Sequence, residues 1–168
     1  DDVEETGATL EENAELKASF VAAATGLPGL ADDTGLFVDA LSGAPGVYSA
    51  RYAGEHASYA DNVAKLLSAL EGVAPPRRAR FETAAVLVDT GGRRVVTTGT
   101  VHGSITTTPR GTNGFGYDPV FVPDDGAGRT LAELSDDEKH AVSHRGRAFR
   151  AMAEALLAED DGPIGALR

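Results

Sequence analysis

The sequence predicts an α/β fold with a mixed, largely antiparallel central sheet flanked by helices. Two observations lead to this prediction. Helix signals, in which a capping box opens a run of apolar residues at helical spacing, alternate along the chain with short β-branched runs. Two of those runs are joined by a glycine turn of the hairpin type. With 168 residues, 42% of them hydrophobic, the chain is long enough to bury one core, so we expect a single domain over residues 1–168.

The first helix is predicted over Leu10–Thr25. Thr9 and Glu12 form a capping box at its start, and Gly26 stands where a glycine commonly ends a helix. The expected inner stripe of this helix consists of Leu10, Ala14, Val21 and Ala24. Lys17 falls on the same stripe, which is unusual for a cation on a surface that faces a core.

The middle of the chain alternates between turns and regular elements. The acidic pair in Asp32–Gly35 lies between two apolar runs, which indicates a strand–loop–strand corner with the second strand over Leu36–Leu41. A loop is predicted over Ser42–Ala53 and a helix over Ser58–Leu70. The later predicted elements are a hairpin of Phe81–Asp89 and Arg94–His102, a strand over Tyr117–Val122, a short helix opened by Ser135 and Glu138, a helix over Arg145–Ala158 with Ser143 as its N-cap, and a loose tail over Asp160–Arg168.

The composition excludes several classes of protein. The 26 acidic and 15 basic residues give a net charge of −11, which argues against partners such as nucleic acids or anionic membranes. The chain has no cysteine, so it has no disulfide, thiolate metal site or cysteine nucleophile, and this favours the cytoplasm. No apolar run approaches the ~20 residues of a membrane span, and the acidic start is unlike a signal peptide. Walker, nucleophile-elbow and dinucleotide-binding motifs are also missing.

Most of the net negative charge lies in the first 40 residues, where ten acids face a single base, Lys17. Two acidic pairs in this region, Glu4 with Glu5 and Asp32 with Asp33, could hold a divalent cation such as Mg²⁺, which prefers oxygen ligands. Ordinary surface charge is the more common explanation for Glu4 and Glu5. The apolar surroundings of Asp32 and Asp33 favour a functional site there.

Two further segments could bind a nucleotide. Glycines on both sides of Phe115 let the backbone approach a flat ligand while the ring offers a stacking face, and Asp118 could accept hydrogen bonds from a base, although a simple turn needs the same glycines. His144 and Arg145 could donate to a carbonyl, with Lys139 and Lys17 neutralising phosphates. The first turn of an ordinary helix remains an alternative for His144 and Arg145.

Together these segments resemble the inosine/xanthosine triphosphate pyrophosphatase family. The matching stretches, in family order, are Glu4–Gly7, Glu12–Ala14 with Lys17, Ala31–Leu36, Gly43–Tyr52, Gly114–Pro119, Glu138–Lys139 and Ser143–Gly146. The resemblance implies hydrolysis of ITP, dITP and XTP to the monophosphate and pyrophosphate. It also implies Mg²⁺ as the cofactor, a homodimer, and two lobes with a substrate cleft between them.

The resemblance also assigns roles to residues. It makes Asp33 the general base that activates water, and Glu5 and Asp33 the carboxylates that hold the metal. The substrate-binding residues that it implies are Lys17, Thr34, Phe115, Gly116, Tyr117, Asp118, Lys139, His144 and Arg145. Phe115 would stack on the purine, and His144 with Arg145 would donate to the 6-keto oxygen. Adenine presents an amino donor there, and two unpaired donors cost about 1–3 kcal/mol per group. Guanine carries the same keto group, so this contact alone does not reject it.

Two alternatives stay open at this point: a nucleotide-binding module with impaired catalysis, and an acidic-site pyrophosphatase of other specificity, such as a pyrimidine-preferring relative. The family pattern opens with a strand, a phosphate-binding loop, a helix and a second strand, none of which precedes Asp1. We expect roughly 35–40 residues of that pattern, one strand–helix–strand unit, to be omitted from this sequence. An intact mass close to 17.3 kDa would overturn that expectation.

Overall fold

The computed structural model describes residues 3–160. Its helices and strands are α1 (Leu10–Thr25), β1 (Gly29–Val38), β2 (Pro45–Gly46), α2 (Tyr59–Ala69), β3 (Arg78–Val88), β4 (Arg94–Ile105), β5 (Phe121–Pro123), α3 (Asp136–Val142) and α4 (His144–Asp160). The strands form a five-stranded sheet in the order β2-β1-β3-β4-β5, and the β1–β2 and β4–β5 pairs are antiparallel. The predicted α/β class is confirmed. Within residues 3–160, no helix has the length and apolarity to cross a membrane.

The chain divides into two compact units. Of the described residues, unit 1 contains 3–33, 83–99 and 145–160, and unit 2 contains 34–82 and 100–144. Strands β1, β3 and β4 therefore each contribute residues to both units. The core of unit 2 includes the fully buried Leu36, Leu66, Leu70, Val120 and Phe121. A smaller core in unit 1 is formed by Ala85, Ala148 and Met152.

Helix α1 has the predicted bounds and both predicted caps. Thr9 accepts from the backbone of Glu12, and Gly26 adopts the left-handed conformation with φ of 67°. The predicted inner stripe was wrong for Val21 and Ala24, which are exposed. The buried face instead consists of Leu10, Asn13, Ala14, Ala18 and Ala22. Three of these residues are alanines, and at Ala18 β1 begins directly against the helix, so close that a Cβ on Gly29 would lie 2.0 Å from the carbonyl oxygen of Ala18.

Strand β1 corrects two predictions. Asp32–Gly35 is not a corner, since the whole segment lies within one continuous strand, and the strand ends at Val38 instead of Leu41. A 3-10 turn, Asp39–Leu41, follows the strand. Paired acids resemble a turn when only the sequence is considered, but here each carboxylate has a cationic partner from elsewhere in the chain. Those cationic partners neutralise the two carboxylates, so the acidic segment can form part of a sheet.

The hairpin of β3 and β4 is confirmed, and Asp89 closes its turn by accepting from the backbone of Gly91 and Arg93, each at 2.8 Å.

The strand predicted over Tyr117–Val122 was wrong in its first part. Residues 117–120 form a turn, with a backbone hydrogen bond of 3.0 Å from Val120 to Tyr117, and β5 covers only Phe121–Pro123.

The remaining helix predictions agree closely with the structure. Ser135 caps α3 with the predicted side-chain contacts to the backbone, and Ser58, the first residue of the predicted second helix, caps α2 in the same way. Helix α4 begins at His144, directly after Ser143, one residue earlier than predicted. The predicted tail lies, beyond Asp160, outside the described residues.

Candidate active site

Unit 1 brings two carboxylates onto one lysine. Lys17 on α1 places its Nζ 2.8 Å from Oε1 of Glu5 and 3.0 Å from Oδ1 of Asp33 on β1. All three side chains are mostly buried. This pairing explains why a cation lies toward the inner side of α1, because burial of a charge requires a partner.

A fourth residue, Asn13, belongs to the same cluster. Its side chain is fully buried, its Nδ2 donates to Oδ2 of Asp33 at 3.3 Å, and its Oδ1 accepts from the backbone N–H of Gly7 at 2.7 Å. Sequence reasoning included Asn13 in a matching motif but gave it no role. The available signal was its position one helical turn before Lys17, which places both side chains on one face of α1.

The surroundings shift the acidity of both charged partners. Burial raises the pKa of Asp33 above its usual range, although the ammonium of Lys17 acts in the opposite direction. Burial alone would lower the pKa of Lys17, but the hydrogen bonds and charges of Glu5 and Asp33 more than offset this and raise it. Lys17 is therefore held as a cation, and Asp33 is shifted in the direction that suits a general base at neutral pH.

The donor set suits a hard divalent cation. Two carboxylates already converge on one positive charge, the ammonium of Lys17. Mg²⁺ commonly takes one or two protein carboxylates and completes its shell with water and substrate phosphates. Residues 3–160 contain no cluster of three or more acidic, histidine or cysteine side chains placed for a metal. Glu5 and Asp33 thus fit a metal that takes most of its ligands from substrate and solvent.

The other two acids considered as metal ligands lie elsewhere. Glu4 is exposed. Asp32 accepts from Nε of Arg145 at 2.8 Å, at the start of α4. Adjacent residues of a strand direct their side chains to opposite sides of the sheet, so Asp32 and Asp33 serve different partners.

Unit 2 contains residues 114–118, in which glycines flank Phe115 and which we call the aromatic segment. The carboxylate of Asp118 is almost completely buried, and its Oδ2 accepts from the backbone N–H of Phe115 at 2.9 Å and from Nζ of Lys139 at 2.5 Å. The same ammonium lies 4.8 Å from the centroid of the Phe115 ring. Gly114 has φ of 80°, and a Cβ there would lie 2.0 Å from Oδ2 of Asp118, so the segment needs glycine at this position.

The aromatic ring of this segment is open to solvent. Phe115 is 53% exposed, and next to it lies Tyr59 of α2, 58% exposed, with ring centroids 6.2 Å apart. Tyr59 was missed by sequence reasoning, because nothing in the sequence places the start of α2 beside residue 115. A Cβ on Gly116 would meet open space. Exposed aromatic rings beside an ammonium form a surface on which a flat ligand can stack.

The Ham1 family model matches residues 1–155. The chain belongs to the Ham1 family. Two similar relatives are named dITP/XTP pyrophosphatase. The protein from Geobacter sulfurreducens is 55% identical over 156 residues, which are 92% of this chain and 78% of the relative. The protein from Mycolicibacterium paratuberculosis is 57% identical over 153 residues, 90% of this chain and 74% of the relative.

Solved structures of Ham1 proteins agree with this assignment. The Staphylococcus aureus Ham1 protein superposes with a TM-score of 0.87 at 43% identity, covering 95% of this chain and 82% of the other. A nucleoside-triphosphatase, described as a dITP/XTP pyrophosphatase, from Mycobacterium abscessus gives a TM-score of 0.76 at 51% identity, covering 90% and 78%. The described fold is therefore that of Ham1 proteins.

Three of the expected substrate-binding residues of this Ham1 chain have distinct surroundings. His144 is buried in unit 2, and its ring stacks on Phe81 with centroids 4.7 Å apart and an interplanar angle of 16°. Tyr117 is also buried, and its hydroxyl donates to the carbonyl of Ser49 at 2.8 Å. Thr34 follows Asp33 in β1 and is partly buried.

Proposed function

We propose that this Ham1 protein hydrolyses the deaminated purine nucleoside triphosphates ITP, dITP and XTP to the nucleoside monophosphate and pyrophosphate. The observation that carries the proposal is the convergence of Glu5 and Asp33 on the ammonium of Lys17, combined with the raised pKa of Asp33. The names of the relatives, dITP/XTP pyrophosphatase, support the same reaction.

Asp33 acts as the general base in this reaction. Its carboxylate accepts a proton from water as the water oxygen bonds to the α-phosphorus. The bond from that phosphorus to the bridging oxygen breaks, and pyrophosphate leaves with the electron pair. Lys17 offsets the negative charge that collects around Glu5 and Asp33. Glu5 and Asp33 would hold Mg²⁺, which supplies charge neutralisation for the phosphates when bound.

The purine base of the substrate is recognised by the residues of the aromatic segment and by the start of α4. Phe115 stacks on the purine, the backbone from Gly116 to Asp118 completes the wall, and Lys139 binds the substrate beside it. His144 and Arg145 donate to the 6-keto oxygen. A 6-amino group facing those donors leaves buried groups unpaired, which costs about 1–3 kcal/mol each and selects against adenine. Thr34 completes the substrate contacts next to Asp33.

We extend the proposal to a homodimer in the cytoplasm. The homodimer rests on the resemblance to the pyrophosphatase family, and the location rests on the cysteine-free sequence. Light scattering on the purified protein tests the assembly, for which we expect twice the mass of the chain.

A substrate panel tests the proposed function. The protein is incubated with Mg²⁺ at alkaline pH and with ITP, XTP, ATP, GTP, CTP or UTP in turn, and pyrophosphate release is measured. We expect ITP and XTP to be preferred over all the others. Equal turnover of ITP and the pyrimidine nucleotides would favour a pyrophosphatase of other specificity. Tight binding of ITP without turnover would favour a nucleotide-binding module.

A further inference from the structure

Asn13 joins the two chain segments that carry the candidate metal ligands. Its side chain is fully buried, and both ends of its amide are used. The oxygen accepts from Gly7, two residues beyond Glu5, and the nitrogen donates to Asp33 itself. A buried amide with a partner at each end has one favourable orientation, because turning it would place donor against donor and acceptor against acceptor.

We infer that Asn13 is a positioning residue that fixes the separation between the carboxylates of Glu5 and Asp33. The inference rests on the proposed function, since it concerns the two residues that would hold Mg²⁺ there. The segment from Glu5 to Gly7 lies outside the helices and strands, so its position depends on side-chain contacts of this kind. Gly7 approaches so closely that a Cβ would lie 2.6 Å from Oδ1 of Asn13.

Lys17 contacts the same two carboxylates but constrains them less. Its ammonium is a compact charge on a flexible four-carbon stem with rotatable donors, so it tolerates a range of separations. It also donates to Oδ1 of Asp33, whereas Asn13 donates to Oδ2. The contact of Asn13 therefore does not depend on that of Lys17, and it leaves Oδ1 of Asp33 to the ammonium of Lys17.

The expected effect of losing Asn13 is on metal affinity. Residues that hold metal ligands in place typically change metal affinity or activity by about 10–100-fold when they are removed. A merely structural asparagine would lower the stability of the protein without changing its affinity for a metal. The distinction therefore needs a binding measurement as well as an activity measurement.

Asn62 offers a matched control. It is also buried, at 1% exposure, and it also bridges backbone groups with both ends of its amide, accepting from Ala53 at 2.7 Å and donating to Ala50 at 3.0 Å. It lies in unit 2 and none of these contacts is a carboxylate. Asn62→Ala therefore removes the same type of buried bridge away from the candidate metal ligands.

The experiment compares wild type, Asn13→Ala and Asn62→Ala. Mn²⁺ binding to the whole chain without nucleotide is measured by electron paramagnetic resonance of the free ion, together with kcat and KM for ITP and the melting temperature. We expect Asn13→Ala to raise the Mn²⁺ dissociation constant about 10–100-fold and to lower kcat with little change in KM. Asn62→Ala should lower the melting temperature and leave Mn²⁺ binding within twofold of wild type.

Gly7→Ala provides a second variant in case Asn13→Ala does not fold. Its added methyl group displaces the amide of Asn13 while every polar group is retained, and we expect weaker Mn²⁺ binding here too. Unchanged Mn²⁺ affinity in whichever of these two variants folds would overturn the inference, as would an equal loss in Asn62→Ala or a wild type that binds no Mn²⁺.

Failure of the proposed function has a different signature. A wild type that binds Mn²⁺ and loses it on Asn13→Ala, but releases no pyrophosphate from ITP or XTP, would contradict the proposed function and leave the positioning role standing. Pyrophosphate release from ITP with the same Mn²⁺ affinity in wild type and Asn13→Ala would overturn the positioning role and leave the proposed function standing.

Discussion

Asp33 has surroundings that act on its pKa in opposite directions. Burial favours the neutral acid, while the ammonium of Lys17 and the amide of Asn13 favour the carboxylate, and burial prevails. A carboxylate that binds protons more strongly than an exposed aspartate is a better base. This is the physical reason for assigning the proton transfer to Asp33.

The variant Asp33→Asn should lose at least about 100-fold in kcat, because general base catalysis typically contributes 10²–10⁴-fold and the amide accepts no proton. The fold should persist, since the side chain keeps its size. Pyrophosphate release and circular dichroism measure the two effects. Glu4→Gln is the control, since Glu4 is acidic but exposed, and it should retain full activity. An Asp33→Asn enzyme with near wild-type turnover would exclude Asp33 as the base.

Phe115→Ala should weaken substrate binding without unfolding the protein, because the ring is already largely in solvent. Stacking of a base on an aromatic side chain contributes about 1–3 kcal/mol, which corresponds to about 5- to 150-fold in affinity. Titration with ITP, with Asp33→Asn as a background that prevents turnover, measures the effect. Leu157→Ala removes a similarly exposed apolar side chain from α4 and should change nothing. Equal affinity for ITP in both variants would contradict the stacking role.

The sequence did not reveal the roles of Asn13 and Tyr59, and the reason is the same for both. Asp33 and Phe115 stand out locally, one within an acidic pair and the other between glycines. Asn13 and Tyr59 gain their significance only from partners 20 and 56 residues away, which follow from the packing of the elements that carry them. Neither residue type is distinctive on its own.

Among the elements, the helices were easier to predict than the strands. Capping boxes are local, so Thr9 and Ser135 locate two helix starts from the sequence alone. The strands depend on distant partners. Strand β1 continues through two adjacent acids because Lys17 and Arg145 neutralise them, and neither is near in sequence.

The start of α3 allows a prediction on pH dependence. Hydrogen bonds from Arg129 and from Ser135 lower the pKa of Glu138 from 4.5 to about 2. Because the folded-state pKa is the lower one, the stabilisation is complete above pH 4.5 and is lost as the pH falls toward 2. Glu138→Gln should therefore show a smaller loss of unfolding free energy over that range than wild type, measured by urea unfolding at several pH values.

A matched control for that measurement is Glu71→Gln, which removes an exposed acid outside α3. Its unfolding free energy should follow the wild-type pH dependence. Identical pH dependence in wild type and Glu138→Gln would show that the ion pair with Arg129 does not contribute to stability.

The net charge of −11 is unevenly distributed along the chain. Most of it lies in the first 40 residues, yet many of those acids have specific partners. Lys17 pairs with Glu5 and Asp33, and Arg145 pairs with Asp32. Glu12 caps α1. The acidity that first argued only against polyanionic partners thus includes the two carboxylates through which a metal would bring in a polyphosphate.

The position of water attack distinguishes the proposed pyrophosphatase reaction from other ways of cleaving ITP. ITP is hydrolysed by the purified protein with Mg²⁺ in water enriched in ¹⁸O, and both products are analysed by mass spectrometry. Attack at the α-phosphorus, with Asp33 taking the proton, predicts one ¹⁸O atom in the inosine monophosphate and none in the pyrophosphate. Label in the pyrophosphate, or release of single phosphates, would contradict it.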